Sequence, residues 1–248
     1  MTDQNAPDLS LTGCRPLSVG MLLYPGFTLL DLAGPQTAFG LNGQTHLIWK
    51  TLDPVPTDMG VSMNPTRTFA TAPDDLDVLF VPGGFGTLDA MQDREILDFL
   101  ARAGARARYV TSVCTGSVIL GMAGLLDGYR AATHWAFYGP LEALGAEPSH
   151  ERVCVDRNRI TGGGVTAGVD FGLRVVAEIN GQHAAEVTQL ALEYSPQPPF
   201  TAGHPRSARP EVIACVEGMM AHMIPPGVEL ARAYRQALVT KRARLATV

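Results

Sequence analysis

The segment around Cys114 predicts a strand, a sharp turn and a helix, and it constrains the fold more than any other feature. The apolar run 109–113 ends at the cysteine, and the run 115–126, rich in small and apolar residues, follows at once. We therefore expect the thiol at the carboxyl end of a central strand, beside the amino end of a helix. Free N–H groups and the helix dipole favour the nucleophilic thiolate there. The alternative is a buried apolar cysteine, a common state of free cysteine.

Further apolar runs of strand length alternate with segments of helical periodicity. Core strands are predicted at 17–24, 46–52, 77–81 and 109–113, and helices from about Leu29, over 89–105, over 115–126, over 166–179 and over 184–193. This alternation is typical of an α/β fold with a mostly parallel sheet and helices on both faces. Ligands of such folds bind at the carboxyl ends of the strands, where loops 24–35 and 82–86 are expected to meet Cys114.

The remaining segments complete a prediction of the domain organisation. Residues 1–15 are polar and irregular and predict a flexible N-terminal arm, whereas 16–248 predict a single α/β domain. Within that domain, 61–68 predict a short strand or hairpin arm, 152–161 a short hairpin, and the proline-rich stretch 195–210 a surface segment. The end of the chain, 211–248, predicts a helical extension interrupted at Pro225-Pro226.

The composition excludes several classes of function. The chain has 248 residues, of which 46% are hydrophobic, and a formal net charge of −5, so nothing favours binding to nucleic acid or to an anionic membrane. No apolar stretch reaches the roughly 18 residues of a membrane span, and no signal peptide is evident. The four cysteines lie far apart without zinc-site spacing, which favours free thiols in a reducing cytoplasm.

Asp31 is the first candidate partner of the thiol. It lies in Leu-Leu-Asp-Leu-Ala, and burying a carboxylate among apolar residues costs several kcal/mol unless it is paired or protonated. A desolvated aspartate has a raised pKa, which suits a group that donates and accepts protons. The alternative is a cap at the N-terminus of a helix.

The loop Pro-Gly-Gly-Phe-Gly, residues 82–86, follows a predicted strand directly. The N–H groups of Gly83 and Gly84, together with that of Thr115 at the start of the next helix, are candidates for binding negative charge that develops on a substrate. An ordinary tight turn is an equal alternative. The loop has neither the Walker nor the Rossmann spacing.

His134 follows Cys114 by 20 residues along the chain. A Cys–His pair is a familiar nucleophile arrangement, and a structural histidine bonded to backbone near the pocket is equally compatible with the sequence. The other histidines show no pattern.

These motifs together resemble the ThiJ/PfpI superfamily, and within it the isocyanide hydratase branch. The resemblance rests on Leu-Leu-Asp-Leu-Ala-Gly-Pro (29–35), His-Leu-Ile-Trp-Lys (46–50), Ala-Arg-Tyr-Val-Thr-Ser-Val-Cys-Thr-Gly-Ser (107–117), His-Glu-Arg-Val (150–153), Thr-Gly-Gly-Gly-Val-Thr-Ala-Gly-Val-Asp (161–170) and Leu-Glu-Tyr-Ser-Pro-Gln-Pro-Pro-Phe (192–200). It extends from about residue 17 to 205, and the two ends of the chain depart from the pattern.

The resemblance implies a flavodoxin-like or glutamine amidotransferase-like sandwich that usually forms a homodimer. It implies Cys114 as nucleophile and Asp31 as catalytic acid and base, where many superfamily members carry glutamate. Gly163 and Val165, in the Gly-Gly-Gly-Val turn, are implied as pocket residues near the cysteine. The implied enzyme is a carbon–nitrogen lyase that hydrates a small isocyanide to an N-substituted formamide through a thioimidate, with neither metal nor organic cofactor.

Two other functions stay open on the sequence. A glyoxalase or deglycase acting on α-oxoaldehydes would use a pair of Cys114 and His134. A redox sensor would use an accessible thiol of low pKa. A regulator fused to a DNA-binding region is disfavoured, because 211–248 is too short for two helix-turn-helix motifs and the chain is acidic.

Overall fold

A seven-stranded, mostly parallel sheet forms the centre of the molecule in a computed structural model, which describes residues 14–246 and the side chains of 14–240. The strands are β1 (Leu17–Leu22), β2 (Gly43–Trp49), β3 (Val55–Pro56), β4 (Ser62–Met63), β5 (Arg67–Thr68), β6 (Val78–Val81), β7 (Tyr109–Val113), β8 (Arg130–Ala132), β9 (Glu147–Ser149), β10 (Val153–Asp156) and β11 (Arg159–Gly162). The main sheet has the order β10-β11-β7-β6-β1-β2-β5, and only the β10–β11 pair is antiparallel. Strands β3 and β4 form a separate hairpin, and β8 and β9 a separate parallel pair.

The helices lie in two groups beside this sheet. They are α1 (Leu29–Gly40), α2 (Thr87–Ala90), α3 (Arg94–Gly104), α4 (Gly116–Met122), α5 (Tyr138–Ala143), α6 (Ala167–Asn180), α7 (Gln182–Ala191), α8 (Pro210–Met220) and α9 (Ile224–Ala246), with a 3₁₀ turn at Trp135–Phe137. Helices α1, α6 and α7 pack together, and α4 packs with α2, α3 and α5. A Cβ added to Gly172 of α6 would lie 3.0 Å from the Ala38 Cβ of α1, so glycine permits this close approach. The predicted α/β fold is confirmed.

The inner strands are apolar because both of their faces are covered. Every residue of β6 is buried, as are four of the five in β7, which is usual for strands of a parallel sheet. Val81 lies opposite Ser112, and Val113 opposite Gly162, in parallel register. The carboxyl ends of β6, β7 and β11 therefore lie side by side, and the three loops that leave them converge.

Several predicted elements differ in their bounds. The predicted helix 89–105 is two helices, because Asp93 caps α3 by accepting hydrogen bonds from the N–H groups of Glu95 and Ile96. The predicted helix 115–126 ends at Met122, shortly before Gly124 adopts a φ of 77°.

The C-terminal prolines do not interrupt a helix as predicted. Pro225 and Pro226 belong to the first turn of α9, where an N–H group has no helical acceptor to lose. The break lies before them, between Met220 and Ile224.

The segment 61–68 is also divided. Ser62–Met63 pairs with β3, and Arg67–Thr68 forms the edge of the main sheet. Strands β8 and β9 and helix α5 were missed, since each has only three to six residues.

The predicted arm lies almost entirely outside the described residues. At its end, Arg15 forms an ion pair with Asp77. Within residues 14–246, no helix combines the length and the hydropathy that a bilayer span requires.

Candidate active site

Cys114 lies in the turn between β7 and α4 with a φ of 55°, in the left-handed region that a residue with a Cβ rarely adopts. Its N–H donates to the carbonyl oxygens of Gly163 at 2.7 Å and Gly162 at 3.2 Å. Its own carbonyl oxygen accepts from the hydroxyls of Thr133 at 3.0 Å and Ser117 at 3.2 Å. These bonds hold the strained turn from both sides.

Asp31 lies in the first turn of α1, with no exposed surface. Its Oδ2 accepts a hydrogen bond from the Gly83 N–H at 2.8 Å, whereas its Oδ1 is buried and has no hydrogen-bond partner of normal geometry. Burial raises the pKa of Asp31 to about 7, against the opposing effects of the Gly83 N–H and the Cys114 thiol. Thr28 occupies the N-cap position, so the capping alternative for Asp31 is wrong.

The surroundings of Cys114 disfavour loss of the thiol proton. Burial raises the pKa of Cys114 well above its ordinary value, and the negative charge of Asp31 raises it further, while the Thr115 N–H opposes both effects. These effects favour the protonated thiol over the expected thiolate. The sequence argument considered the helix terminus but not the desolvation of a side chain that is 5% exposed.

The N–H groups of Gly83 and Gly84 already have acceptors within the protein. Gly83 donates to Asp31, and Gly84 donates to Thr115 Oγ1 at 3.0 Å. Both were predicted to bind negative charge on a substrate, but in this structure their N–H groups bind the side chains of Asp31 and Thr115. A Cβ on Gly83 would lie 2.5 Å from the Thr115 nitrogen and 2.9 Å from Asp31 Oδ2, so only glycine fits between them.

Thr115 belongs to a short chain of hydroxyl groups. Thr87 Oγ1 donates to the Gly84 carbonyl oxygen at 2.7 Å, and the Thr87 and Thr115 hydroxyls are 2.6 Å apart. Because a hydroxyl has one proton, Thr115 donates to Thr87 and accepts from Gly84. The Thr115 N–H is the donor next to the Cys114 sulfur.

His134 lies near the thiol in the fold and is a neutral side chain. Its Nδ1 accepts a hydrogen bond from the Ala136 N–H at 3.3 Å, so its proton is on Nε2. Burial lowers the pKa of His134 to about 4. An imidazole with this pKa is a poor acceptor for the thiol proton, so the geometry disfavours the Cys–His alternative and with it the glyoxalase hypothesis.

A cavity of about 170 Å³ opens onto Cys114. Its walls are largely apolar, and they comprise Thr28, Asp58, Met59, Gly84, Phe85, Cys114, Thr115, His134, Phe137, Val165, Met220 and Met223. Val165 lines the cavity, whereas the Gly163 carbonyl oxygen accepts a hydrogen bond from the Cys114 N–H.

The sequence analysis missed five lining residues, which are Asp58, Met59, Phe137, Met220 and Met223. Asp58 lies on the loop of the β3–β4 hairpin, and Met220 and Met223 belong to the C-terminal segment that the resemblance did not cover. No local pattern marks any of them. Among the described residues, no cluster of three or more His, Cys, Asp and Glu side chains is arranged to hold a metal ion.

Comparison with known proteins identifies the family. A sequence model of the DJ-1/PfpI family matches residues 17–178. The chain belongs to the DJ-1/PfpI family. This DJ-1/PfpI member is 49% identical to "Isonitrile hydratase" of Pseudomonas putida over 199 residues, which are 79% of this chain and 87% of that protein. The resemblance inferred from the sequence is confirmed.

Two further relatives of this DJ-1/PfpI member differ in extent. A ThiJ/PfpI family protein from Pseudomonas syringae, known from its crystal structure, is 48% identical with a TM-score of 0.86, over 93% of this chain and 97% of that one. The HTH-type transcriptional regulator GbdR of Pseudomonas aeruginosa is 33% identical over 198 residues, which are 75% of this chain and 53% of the regulator. This chain therefore matches about half of that regulator.

Proposed function

We propose that this DJ-1/PfpI family member is an isocyanide hydratase that converts R–NC to the N-substituted formamide R–NH–CHO. Isonitrile and isocyanide are two names for the same functional group. The observation that carries the proposal is the pairing of a strained cysteine turn with a fully buried carboxyl group whose pKa is raised to about 7. The 49% identity to a protein named isonitrile hydratase supports the same reaction.

In the first step Cys114 adds to the substrate. Asp31, as the carboxylate, accepts the thiol proton while the sulfur attacks the terminal carbon of R–NC. The electron pair that the attack leaves on this carbon then takes the proton from Asp31. The product is the thioimidate R–N=CH–S–Cys114, and Asp31 is a carboxylate again. A pKa near the working pH allows one group to accept and to return the proton.

In the second step water replaces the sulfur. Asp31 accepts a proton from water as the water oxygen bonds to the same carbon, and the C=N π electrons move to nitrogen, which takes that proton. The hydroxyl then becomes the carbonyl of the formamide, and its proton passes through Asp31 to the departing sulfur. The sum of both steps is the addition of one water molecule to R–NC.

The cavity supports an apolar R group. Half of the residues that line it have apolar side chains, namely Met59, Phe85, Phe137, Val165, Met220 and Met223. Such walls bind a hydrocarbon substituent and exclude bulk water from the reacting carbon.

The test is formamide production from a simple aryl isocyanide by the purified protein, followed by absorbance and mass spectrometry. Wild type is expected to turn over, and Cys114→Ala is expected to be inactive. Cys215→Ala is the matched control, because Cys215 is exposed on α8 and away from the cavity. Formamide production by Cys114→Ala at the wild-type rate would overturn covalent catalysis.

A homodimer and a cytoplasmic location remain predictions for this chain. Helix α8 supports the dimer, because its sequence Pro-Glu-Val-Ile-Ala-Cys-Val-Glu-Gly-Met-Met is largely apolar and none of its residues is buried in the single chain. Light scattering of the purified protein at several concentrations tests it, and a monomer mass throughout would contradict it.

A further inference from the structure

Asp58 is a second acidic residue on the wall of the Cys114 cavity. Its backbone is fixed, since its N–H donates to the Phe27 carbonyl oxygen at 3.0 Å. Its Oδ2 accepts a hydrogen bond from the Thr28 hydroxyl at 2.5 Å. Its Oδ1 is buried and has no hydrogen-bond partner. One oxygen is thus held by the protein, and the other is left free for a donor.

No cation compensates this carboxyl group within the described part of the chain. Asp58 takes part in none of the ion pairs there, and the described residues lining the cavity include no lysine or arginine. The nearby His134 is neutral, because burial lowers its pKa to about 4. A buried acceptor without a donor destabilises a fold, and it persists where a ligand supplies the donor.

Asp58 lies close enough to the reacting groups for its charge to affect them. Burial is the main cause of the raised pKa values of Asp31 and Tyr24, and the negative charge of Asp58 raises both further. The two carboxyl groups therefore act on one site, yet they lie on different elements, Asp31 in α1 and Asp58 on the hairpin loop.

The proposed reaction creates a donor at a definite point. The terminal carbon of R–NC bonds to the sulfur, so its proton is handled by Asp31, next to the thiol. The nitrogen is one bond further from the sulfur, and it carries no hydrogen in R–NC or in the thioimidate. It gains a proton as water adds, and it then gains positive character when its lone pair helps to expel the sulfur.

We propose that Asp58 Oδ1 accepts a hydrogen bond from the substrate nitrogen as the thioimidate is hydrolysed, and so acts as a catalytic residue for the second step alone. This inference rests on the proposed hydratase function. The Asp58 carboxylate forms no covalent bond and keeps no proton: the N–H proton comes from water through Asp31 and remains in the formamide. Oδ1 stabilises the positive charge that develops on nitrogen as the sulfur leaves, and it does so strongly because the cavity is apolar.

The experiment separates the two steps by mass. Wild type, Asp58→Asn and the exposed-loop control Asp53→Asn are each mixed with an aryl isocyanide and quenched in acid. The mass of each intact protein is then measured by mass spectrometry. Asp58→Asn is expected to form the adduct of one isocyanide per chain at the wild-type rate and to lose it roughly 10²-fold more slowly, the order found when one preorganised partner of a developing charge is removed. Asp53→Asn is expected to match wild type in both steps.

Adduct formation also reports on folding, because a misfolded site would not form the adduct. Thr28→Val provides a second variant: it removes the hydroxyl that holds Oδ2 and should slow adduct breakdown in the same direction by a smaller factor. The role of Asp58 is overturned if Asp58→Asn loses the adduct at the wild-type rate, or if both steps are slowed equally. Either result leaves the hydratase proposal intact. A wild type that gives neither adduct nor formamide overturns the hydratase proposal, and the assignment of Asp58 with it.

Discussion

The Cys114 N–H donates a 2.7 Å hydrogen bond to the Gly163 carbonyl oxygen. This bond joins the turn after β7 to the turn that follows β11, so Cys114 is held by two neighbouring strands of the sheet. A residue with a φ of 55° stores strain unless its surroundings hold it, and here backbone groups do so. The sulfur is thereby fixed beside Asp31 before any substrate arrives.

Activity should depend on the ionisation of Asp31. Because its pKa is raised to about 7, and because the protonated form cannot accept the thiol proton, kcat/KM is expected to fall as the pH decreases below about 7. Asp31→Asn should lower kcat by roughly 10²–10⁴-fold, the usual contribution of a general acid and base. Turnover measured from pH 5 to 9 tests both, with the exposed Asp98→Asn as control. Wild-type turnover by Asp31→Asn would exclude its proton-transfer role.

Two buried groups should make the free energy of unfolding depend on pH in opposite directions. The pKa of Asp31 is raised from 3.8 to about 7, so its contribution is present below pH 3.8 and is lost as the pH rises through 7, on the order of 4 kcal/mol. The pKa of His134 is lowered from 6.5 to about 4, so its contribution increases from pH 4 to 6.5, on the order of 3 kcal/mol.

The two contributions nearly cancel in the wild-type protein, and Asp31→Asn removes only one of them. The free energy of unfolding in urea should therefore rise more steeply between pH 4 and 6.5 in Asp31→Asn than in wild type. Parallel curves for the two proteins would show that Asp31 is not titrating in this range.

Gly83 should not tolerate a side chain. In Gly83→Ala the new Cβ would lie 2.5 Å from the Thr115 nitrogen and 2.9 Å from Asp31 Oδ2, so the loop or these groups must shift. We expect a destabilisation of about 1–3 kcal/mol, as for other overpacked sites, and a loss of turnover. Gly203→Ala is the matched control, because nothing lies within 4 Å of its Cβ position. Thermal unfolding and formamide production measure the two effects.

The size of the R group that the cavity accepts should depend on the C-terminal segment. Met220 lines the cavity, whereas its neighbour Met219 is 64% exposed. Met220→Ala is expected to shift the ratio of kcat/KM values towards the bulkier of two isocyanides by roughly 10-fold or more, since a missing methylene in a pocket is worth about 1–3 kcal/mol. Met219→Ala should leave the ratio unchanged. The same ratio in both variants and wild type would remove Met220 from the substrate site.

Much of the central sheet follows from local sequence patterns. Strand β7, the cysteine turn after it and the helix that follows were predicted from the run 109–126, and β1, β6 and α6 follow similarly from apolar periodicity. Short elements were missed or misplaced, because two to six residues show no measurable periodicity. The C-terminal prolines were misjudged, since the same Pro-Pro pair is compatible with a break and with a first helical turn.

The sequence by itself determined the α/β fold, the cysteine turn and the family resemblance, since each depends on residues adjacent in the chain. Tertiary structure decided the chemical state and the shape of the site. The pKa of the Cys114 thiol is raised and that of Asp31 is near 7 because the fold removes water from both. Asp58 and Met220 reach the cavity from elements far from Cys114 in the chain, and only long-range packing brings them there.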